Sequence, residues 1–275
     1  MTLRKRAQML DRIAQEAIAL LGTGRQVPTF SSRFPQFGLT DGYDVAASVR
    51  AVRGARGEKV VGRKIGFTNR SVWSGYGISG PIWNYMFDST VGDLPENGGM
   101  YSLAGLAEPR IEPEIILHLG RVPDVSMSED ELVGCVDWIA LGFEIVHSIF
   151  PGWVFTAADA VAAYGVHAKL LIGDRQLITE NPAIWADQLS SFTITIERGD
   201  GLMRSGGGAS VLGSPFKAFR FLLVEIAANS SSDPLQAGEI ITTGTLTEAM
   251  PAMAGETWTT DVRGIALKPV QLQFR

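Results

Sequence analysis

Two glutamates separated by one residue, Glu112 and Glu114, are the part of the sequence best suited to chemistry. On a β-strand they would point to the same face, with their Cβ atoms ~7 Å apart. Two adjacent carboxylates repel each other unless a lysine, an arginine or a metal ion compensates their charge. The pair therefore predicts a cation-binding site, or else a solvated acidic strand of the kind that often carries Glu-x-Glu.

A third carboxylate, Glu144, interrupts the apolar run of residues 139–146. An ionised carboxylate in a buried strand is costly unless it is paired or binds a metal. Three hard oxygen donors without a cysteine suit Mg²⁺ or Mn²⁺ better than zinc. Glu112, Glu114 and Glu144 are thus candidate ligands of a divalent metal. The alternative is that Glu144 ends a strand and faces solvent, and spacing alone leaves both interpretations open.

Lys64 is a candidate proton carrier, because Gly62 and Gly66 on either side of it allow the backbone to approach a ligand closely. A lysine buried near a metal could have a lowered pKa and move protons. The alternative is a solvated lysine at the edge of a strand.

The three histidines and the single cysteine are weaker candidates. His118, His147 and His167 have no HxH or HxxxH spacing, so each is interpreted as structural or as support for the site rather than as a metal ligand. Cys135 is the only cysteine, which excludes an intramolecular disulfide and a cysteine-based zinc cluster.

The elements that must position these residues divide the chain in two. Apolar residues at helical spacing predict helices over 3–21 and 41–56, so residues 1–60 are expected to form a helical N-terminal subdomain. Residues 61–275 are expected to form a β-rich catalytic domain. Strands are predicted over 59–67, 110–119, 139–146, 192–197, 239–243, 256–262 and 265–274, and helices over 128–138, from 156 and over 215–228. Without regular strand–helix alternation, an α+β fold with a mixed sheet is favoured over a doubly wound fold.

The whole-chain properties exclude several classes of protein. The chain has 275 residues and a net charge of −5, without a basic stripe, which argues against a nucleic-acid partner. No signal peptide is recognisable, and no run approaches the ~18 apolar residues that a membrane span requires. A cytoplasmic protein without a membrane partner is expected.

Four stretches together resemble the fumarylacetoacetate hydrolase superfamily, and within it the 2-keto-4-pentenoate hydratase and 4-oxalocrotonate decarboxylase branch. The lysine motif Gly-x-Lys-x-Gly-x-Thr stands at residues 62–68, and the metal motif Glu-Pro-Glu-Ile at residues 112–115. The third ligand stands as Glu144, and a threonine-glycine loop covers residues 241–245.

The resemblance implies a rolled, mixed β-sheet core, a bound Mg²⁺ or Mn²⁺ ion and a homo-oligomer. It implies that the metal chelates a small 2-oxo acid and stabilises an enolate, while Lys64 moves the proton or holds the oxyanion. Thr245 and Gly244 would contact the substrate carboxylate, and Tyr76 and Asp159 would lie at the substrate end of the pocket.

The departures from the family pattern concern the substrate. Hydratases of this kind usually carry Asp-Ser-Arg after the metal-binding strand, whereas this chain has His147-Ser148-Ile149. The leading hypothesis is a hydratase that adds water to a 2-hydroxy-2,4-dienoate in aromatic catabolism. A decarboxylase stays open, as does a C–C hydrolase in which His147 or His118 serves as base. A further alternative is a non-catalytic partner subunit of a decarboxylase–hydratase pair.

Overall fold

The computed structural model describes residues 2–70, 73–76, 78, 80–95, 99–178, 182–229 and 232–275. The helices within them are α1 (Leu3–Leu20), α2 (Phe30–Arg33), α3 (Leu39–Ala55), α4 (Trp73–Tyr76), α5 (Glu129–Val133), α6 (Ala157–Ala162), α7 (Pro182–Ser191) and α8 (Pro215–Ala228). The strands are β1 (Val60–Gly66), β2 (Ile82–Phe87), β3 (Val91–Asp93), β4 (Gly99–Tyr101), β5 (Arg110–Leu119), β6 (Val136–Val146), β7 (His167–Leu177), β8 (Thr193–Arg198), β9 (Met203–Gly207), β10 (Ile240–Thr245), β11 (Met250–Pro251), β12 (Thr257–Arg263) and β13 (Gln271–Phe274).

Two sheets organise the described strands. The larger has eight strands in the order β2-β1-β10-β5-β6-β7-β3, with β11 beside β5. It is mixed, because β1 runs parallel to β10 and β3 to β7 while its other pairs are antiparallel. The smaller sheet has five strands in the order β4-β13-β12-β8-β9. The prediction of an α+β fold with a rolled mixed sheet is confirmed.

The centre of the large sheet is the long antiparallel pair of β5 and β6. Ile111, Ile115 and Leu117 of β5 point to one face, where they are fully buried in the main core. Because strand side chains alternate, Glu112 and Glu114 point to the other face. The apolar face fixes the pairing register, and the register in turn positions the acidic residues.

Helices fill the first 55 residues and pack onto the sheet. Ile13 and Ala17 of α1 are fully buried and belong to the same apolar core as the strands. Arg6 of α1 lies 2.6 Å from Asp41 and 2.6 Å from Asp44, which connects α1 to α3. The division of the chain into two domains at residue 60 stays a prediction.

The largest departures from the predicted element bounds lie at β6 and β13. The helix predicted over 128–138 ends at Val133, and strand β6 already begins at Val136. Pairing of β6 with both β5 and β7 outweighs the helical signal there, since sheet formation depends on tertiary neighbours. The strand predicted over 265–274 is limited to Gln271–Phe274.

Among the described helices, none combines the length and the apolar character needed to cross a bilayer.

Candidate metal centre and active-site cavity

The three predicted carboxylates meet on one face of the large sheet. Glu112 of β5 pairs directly with Glu144 of β6, and Glu114 follows two residues along β5. One ligand oxygen from each of the three lies within 4.8 Å of the others. Glu114 and Glu144 are fully buried, and Glu112 is half-buried. The sheet therefore forms a compact cluster of three oxygen donors, partly open to solvent at Glu112.

The donor set fits a hard divalent cation. Glu114 Oε1 and Glu144 Oε2 are buried without a hydrogen-bond partner among the described residues. A buried carboxylate oxygen without a donor is costly, and a cation is one ligand that would remove this cost. Carboxylate oxygens are the donors that Mg²⁺ and Mn²⁺ prefer. The observed arrangement thus agrees with a metal held by Glu112, Glu114 and Glu144.

Lys64 enters this cluster from strand β1. Its side chain is 2% exposed, and Nζ lies 3.4 Å from Glu144 Oε2. Nζ also donates a hydrogen bond of 3.0 Å to the carbonyl oxygen of Gly165. Tyr164, Gly165 and Val166 all have positive φ, between 60° and 63°, in the segment that presents this carbonyl. Strained backbone of this kind persists only where surrounding structure holds it, as at ligand sites.

The carboxylates have different protonation states. Burial raises the pKa of Glu114 well above its ordinary value, and Glu144 and Glu112 add to the effect. Burial and the charge of Glu144 raise the pKa of Glu112 to about 7, against the opposing effect of Lys64. Burial would also raise the pKa of Glu144, but Lys64 and His167 outweigh it and lower that pKa to about 2. Without a bound cation, these shifts favour the ionised form of Glu144 and the protonated form of Glu114.

The charge of Lys64 matches this pattern. Burial alone would lower the pKa of Lys64, but Glu144, and after it the other two carboxylates, raise it above its ordinary value. Lys64 is therefore a cation at neutral pH. In this state it donates hydrogen bonds and does not accept a proton.

A cavity of about 480 Å³ opens next to the cluster. Its polar lining includes Lys64 and Glu112 from the sheet, and Ile65, Phe67 and Ile82 provide an apolar wall. The other lining residues are Gly66, Thr68, Asn69, Arg110, Trp153, Gly165, Val166, Thr245, Thr247, Glu248 and Ala249. A small, mainly apolar pocket with a few convergent polar groups is typical of a site for a small molecule.

Comparison with known proteins gives a consistent result, although no protein-family model matches the chain. The 2-hydroxyhexa-2,4-dienoate hydratase of Comamonas testosteroni is 27% identical over 267 residues, which cover 96% of this chain and 97% of that protein. The 2-keto-4-pentenoate hydratase 2 of Dechloromonas aromatica (strain RCB) is 29% identical over 215 residues, 77% of each chain.

Solved structures share the fold over the whole chain or most of it. The 4-oxalocrotonate decarboxylase from Pseudomonas putida G7, complexed with magnesium and adipate, superimposes with a TM-score of 0.86 at 23% identity, covering 100% of this chain and 99% of that one. A yeast fumarylacetoacetate hydrolase family protein has a TM-score of 0.54 at 13% identity, covering 78% and 91%.

The chain is similar to 2-keto-4-pentenoate hydratases and to a 4-oxalocrotonate decarboxylase at 26–29% identity, and it shares the fold of fumarylacetoacetate hydrolase family proteins. The resemblance noted on the four sequence stretches is therefore confirmed.

The threonine-glycine loop lies beside the cluster, but its two residues have different surroundings. The Gly244 N–H donates a hydrogen bond of 2.8 Å to Glu114 Oε2, so Gly244 orients a candidate ligand. Thr245 lines the cavity, and its hydroxyl donates to the carbonyl of Thr247 at 3.1 Å. Contact of either residue with substrate stays a prediction.

Asp159 is placed differently from the prediction that it contacts substrate. Its carboxylate accepts hydrogen bonds from the backbone N–H and hydroxyl of Ser31, at 2.9 and 2.6 Å. It also accepts from the N–H and hydroxyl of Thr156, at 2.9 and 2.7 Å. Asp159 is fully buried, caps α6 and does not line the cavity. These four donors already engage its oxygens, and contact of Asp159 with substrate stays a prediction.

The remaining predicted site residues are His147 and Tyr76. His147 is 4% exposed and is not among the residues lining the cavity. Burial, with a smaller effect from His167, lowers the pKa of His147 to about 4, so the imidazole is neutral at pH 7. The side chain of Tyr76 lies outside the described residues.

Sequence reasoning gave His167 only a structural or supporting role, without its partner, and did not single out Thr68 as a member of the site. His167 Nδ1 lies 2.7 Å from Glu144 Oε1, and its Nε2 lies 3.0 Å from the hydroxyl of Thr90. Thr68 lines the cavity, and its buried hydroxyl has no hydrogen-bond partner in the described part of the chain. Thr68 ends the lysine motif, which was a usable signal. His167 is brought in only by the pairing of β6 with β7, which no local pattern reveals.

Proposed function

We propose that this chain is a divalent-metal-dependent hydratase that adds water to a 2-hydroxy-2,4-dienoate and forms a 4-hydroxy-2-oxo acid in aromatic catabolism. The observation that carries the proposal is the buried cluster of Glu112, Glu114 and Glu144 beside Lys64, next to a cavity of about 480 Å³. Similarity over nearly the full length to a 2-hydroxyhexa-2,4-dienoate hydratase supports the reaction class.

The three glutamates would hold Mg²⁺ or Mn²⁺. A bound ion of this kind supplies Lewis-acid polarisation to the 2-oxo group of a chelating substrate. Solved relatives contain magnesium, calcium and manganese, so they support a divalent ion without selecting one. The finer choice between Mg²⁺ and Mn²⁺ is part of the proposal.

Lys64 would stabilise negative charge that develops on the substrate. Conversion of the dienol to the 4-hydroxy-2-oxo acid places a hydroxyl on C4 and protons on C3 and C5. One proton comes from water and the other from the 2-hydroxyl group, whose oxygen carries developing negative charge and becomes the carbonyl oxygen. The protonated Lys64 ammonium, fixed by Glu144 and the Gly165 carbonyl, is suited to donate a hydrogen bond or a proton to that oxygen. The apolar wall of Ile65 and Phe67 limits solvent around it.

A decarboxylase is the second candidate, because the 4-oxalocrotonate decarboxylase from Pseudomonas putida G7 has the same fold over the full chain. A C–C hydrolase has less support, because it needs a base to activate water. Among the described residues, neither His147 nor His118 lines the cavity, and His118 Nδ1 is engaged with Asp137 at 2.6 Å. The intact ligand cluster speaks against a non-catalytic subunit.

The deciding experiment is turnover of 2-hydroxypenta-2,4-dienoate with Mn²⁺, followed by ultraviolet loss of the dienol and by product mass. A gain of one water without loss of carbon supports the hydratase. Release of carbon dioxide from 4-oxalocrotonate, without hydration of the dienol, would replace the proposal by a decarboxylase. Absence of both reactions in protein that binds Mn²⁺ would reject both.

We also propose, from the similarity to this family, that the chain forms a homo-oligomer and associates with a decarboxylase or hydratase partner subunit. Light scattering of the purified chain tests self-association directly, since the mass of the particle is a multiple of one chain.

A further inference from the structure

His167 is a buried residue at the metal centre to which the proposed reaction assigns no role. It is the first residue of β7, and its side chain is 2% exposed. Its Nδ1 lies 2.7 Å from Glu144 Oε1, and its Nε2 lies 3.0 Å from the hydroxyl of Thr90. Thr90 is held in turn by the backbone N–H of Phe87, which donates to that hydroxyl at 3.3 Å. Both nitrogens of the ring are therefore engaged, which fixes the orientation of the imidazole.

A β-bulge in β7 places His167 on the same face of the sheet as Glu144. Glu144 of β6 pairs with Leu170 of β7. Because strand side chains alternate, a regular ladder would pair Val146 with Ala168 and turn His167 to the opposite face. The observed ladder shifts at this point, and Val146 pairs with His167 instead. Bulges next to active sites re-aim side chains, and this one directs the imidazole towards Glu144.

The two carboxylate oxygens of Glu144 are consequently not equivalent. Oε1 accepts the hydrogen bond from the imidazole, and because an ionised carboxylate only accepts, the hydrogen lies on Nδ1. Oε2 is buried without a hydrogen-bond partner in the described part of the chain, and Lys64 Nζ lies 3.4 Å from it. Rotation of the carboxylate would break the contact of Oε1 with the imidazole. The geometry therefore leaves Oε2 as the oxygen that is available to a metal ion.

We propose that His167 restricts Glu144 to coordination through one oxygen and thereby makes the site selective for small octahedral ions over Ca²⁺. This inference rests on the metal assignment of the proposed function, and it makes His167 a positioning residue that acts through Glu144. Mg²⁺ and Mn²⁺ prefer octahedral coordination, in which a carboxylate contributes one oxygen. Ca²⁺ takes more oxygens in a flexible geometry and often binds both oxygens of one carboxylate. A glutamate whose second oxygen is held by an imidazole therefore suits the smaller ions.

The test measures the Kd of Mn²⁺ and of Ca²⁺ by calorimetry in the wild type, which should bind Mn²⁺ more tightly, and in two variants of His167. His167→Phe keeps a ring without a donor. Its Mn²⁺ affinity should fall about 10–100-fold, the usual effect of losing a side chain that orients a metal ligand. Its Ca²⁺ affinity should fall less, because the freed oxygen of Glu144 can join the flexible shell of this ion. His167→Asn keeps an N–H near the position of Nδ1 and should recover most of the preference for Mn²⁺.

The ratio of the two Kd values separates positioning from a general loss of structure. A less stable fold weakens the binding of both ions by the same factor, so this effect cancels in the ratio. His118→Phe is the matched control, because His118 Nδ1 also lies 2.6 Å from a carboxylate, that of Asp137. Neither of these two residues lines the cavity or belongs to the cluster of three glutamates. The control should therefore have the same Kd ratio as the wild type.

Wild-type protein that binds Ca²⁺ as tightly as Mn²⁺ would overturn the inference without any variant. An unchanged Kd ratio in His167→Phe would also overturn it, and His167→Leu gives the same measurement where the larger ring does not fit. An equal fall of the ratio in His167→Asn would show that the ring, and not its N–H, controls the selectivity. Wild-type protein that binds neither ion would remove the metal centre of the proposed function as well, so the two failures are distinguishable.

Discussion

Glu112 and Glu144 lie directly opposite each other across the antiparallel pair of β5 and β6, on the sheet face that also carries Glu114. A shift of one residue in this pairing would send Glu144 to the opposite face. Ile145 and Phe143, both fully buried on that opposite face, hold the register. The candidate metal centre is therefore a consequence of apolar packing on the far side of the sheet.

Metal binding should depend on the Glu114 carboxylate, whereas the stability of the metal-free fold should not. The raised pKa of Glu114 favours its neutral form, which the amide of glutamine resembles, so Glu114→Gln should change little until a cation binds. At 100 times its Kd, a metal that binds only the native state adds about 2.7 kcal/mol, equivalent to a rise in melting temperature of about 5 °C or more. Mn²⁺ should produce this rise in the wild type and in the exposed control Glu197→Gln, but not in Glu114→Gln. An equal rise in all three proteins would exclude Glu114 as a ligand.

Metal affinity should increase with pH up to about 7. The pKa of Glu112 is raised to about 7 and that of Glu114 lies well above its ordinary value, so binding must displace protons from them. Below pH 7 the Kd for Mn²⁺ should rise about tenfold per pH unit for each displaced proton. Without metal, the stability of the fold changes with pH in the opposite direction. A raised carboxyl pKa favours the folded state below about pH 4.5, and this contribution is lost as the pH rises through 7. Calorimetry in buffers of different ionisation heat measures the protons released on binding. If the Kd for Mn²⁺ did not change between pH 5.5 and 7.5, Glu112 and Glu114 would not be the ligands that lose protons.

Lys64→Met should separate catalysis from metal binding. Removal of a general acid–base group or oxyanion donor usually lowers kcat by ~10²–10⁴. The variant should also lose stability without metal, because Glu144 stays buried without its cation, and should regain part of it with Mn²⁺. Lys169→Met on β7 is the control, since Lys169 lies outside the cavity lining. A kcat within threefold of the wild type would remove Lys64 from the mechanism.

Local signals were sufficient to predict most of the elements around the site. Strand β5 was predicted with its observed bounds, because alternation of apolar and polar residues is a strong local pattern. Helix α8 was also predicted from its start, where the Ser214 side chain accepts from Phe216 N–H and Pro215 takes the first helical position. The ligand cluster could be inferred because its members stand on two such strands.

The remaining site contacts depend on tertiary pairing and could not be predicted. His147 follows the end of β6, and His167 is the first residue of β7. Only the register between these two strands brings His167 to Glu144. Asp159 lies in the helix predicted from residue 156, where its carboxylate completes the cap, and it was also predicted to contact substrate. The two roles compete for the same oxygens, and Ser31, a residue distant in sequence, completes the capping arrangement. Arg110 and Trp153 meet through a loop with no local signature.

His147 should make the fold sensitive to acid. Burial lowers its pKa to about 4, below the ordinary value of 6.5, so the unfolded chain binds the extra proton first. Stability from neutral His147 is therefore complete above pH 6.5 and is lost as pH falls towards 4. At pH 4.5 the loss is about 2–3 kcal/mol. Urea unfolding at pH 7 and 4.5 should show a smaller decrease in the free energy of unfolding for His147→Gln than for the wild type. Identical decreases would mean that other groups account for the acid sensitivity.

Gly244 should be required for its lack of a side chain as well as for its backbone conformation. Its φ is +98°, and an added Cβ would lie 2.0 Å from the hydroxyl oxygen of Thr68. Gly238 has a similar φ of +88° with no atom within 4 Å of such a Cβ, so Gly238→Ala measures the conformational cost alone. Gly244→Ala should lose a further ~1–3 kcal/mol, the usual effect of overpacking. It should also weaken Mn²⁺ binding, because the strand must move and the N–H that orients Glu114 moves with it. Urea unfolding and Mn²⁺ titration of the two variants measure both effects. Equal stability and equal Mn²⁺ affinity would show that the contact with Thr68 is relieved without disturbing Glu114.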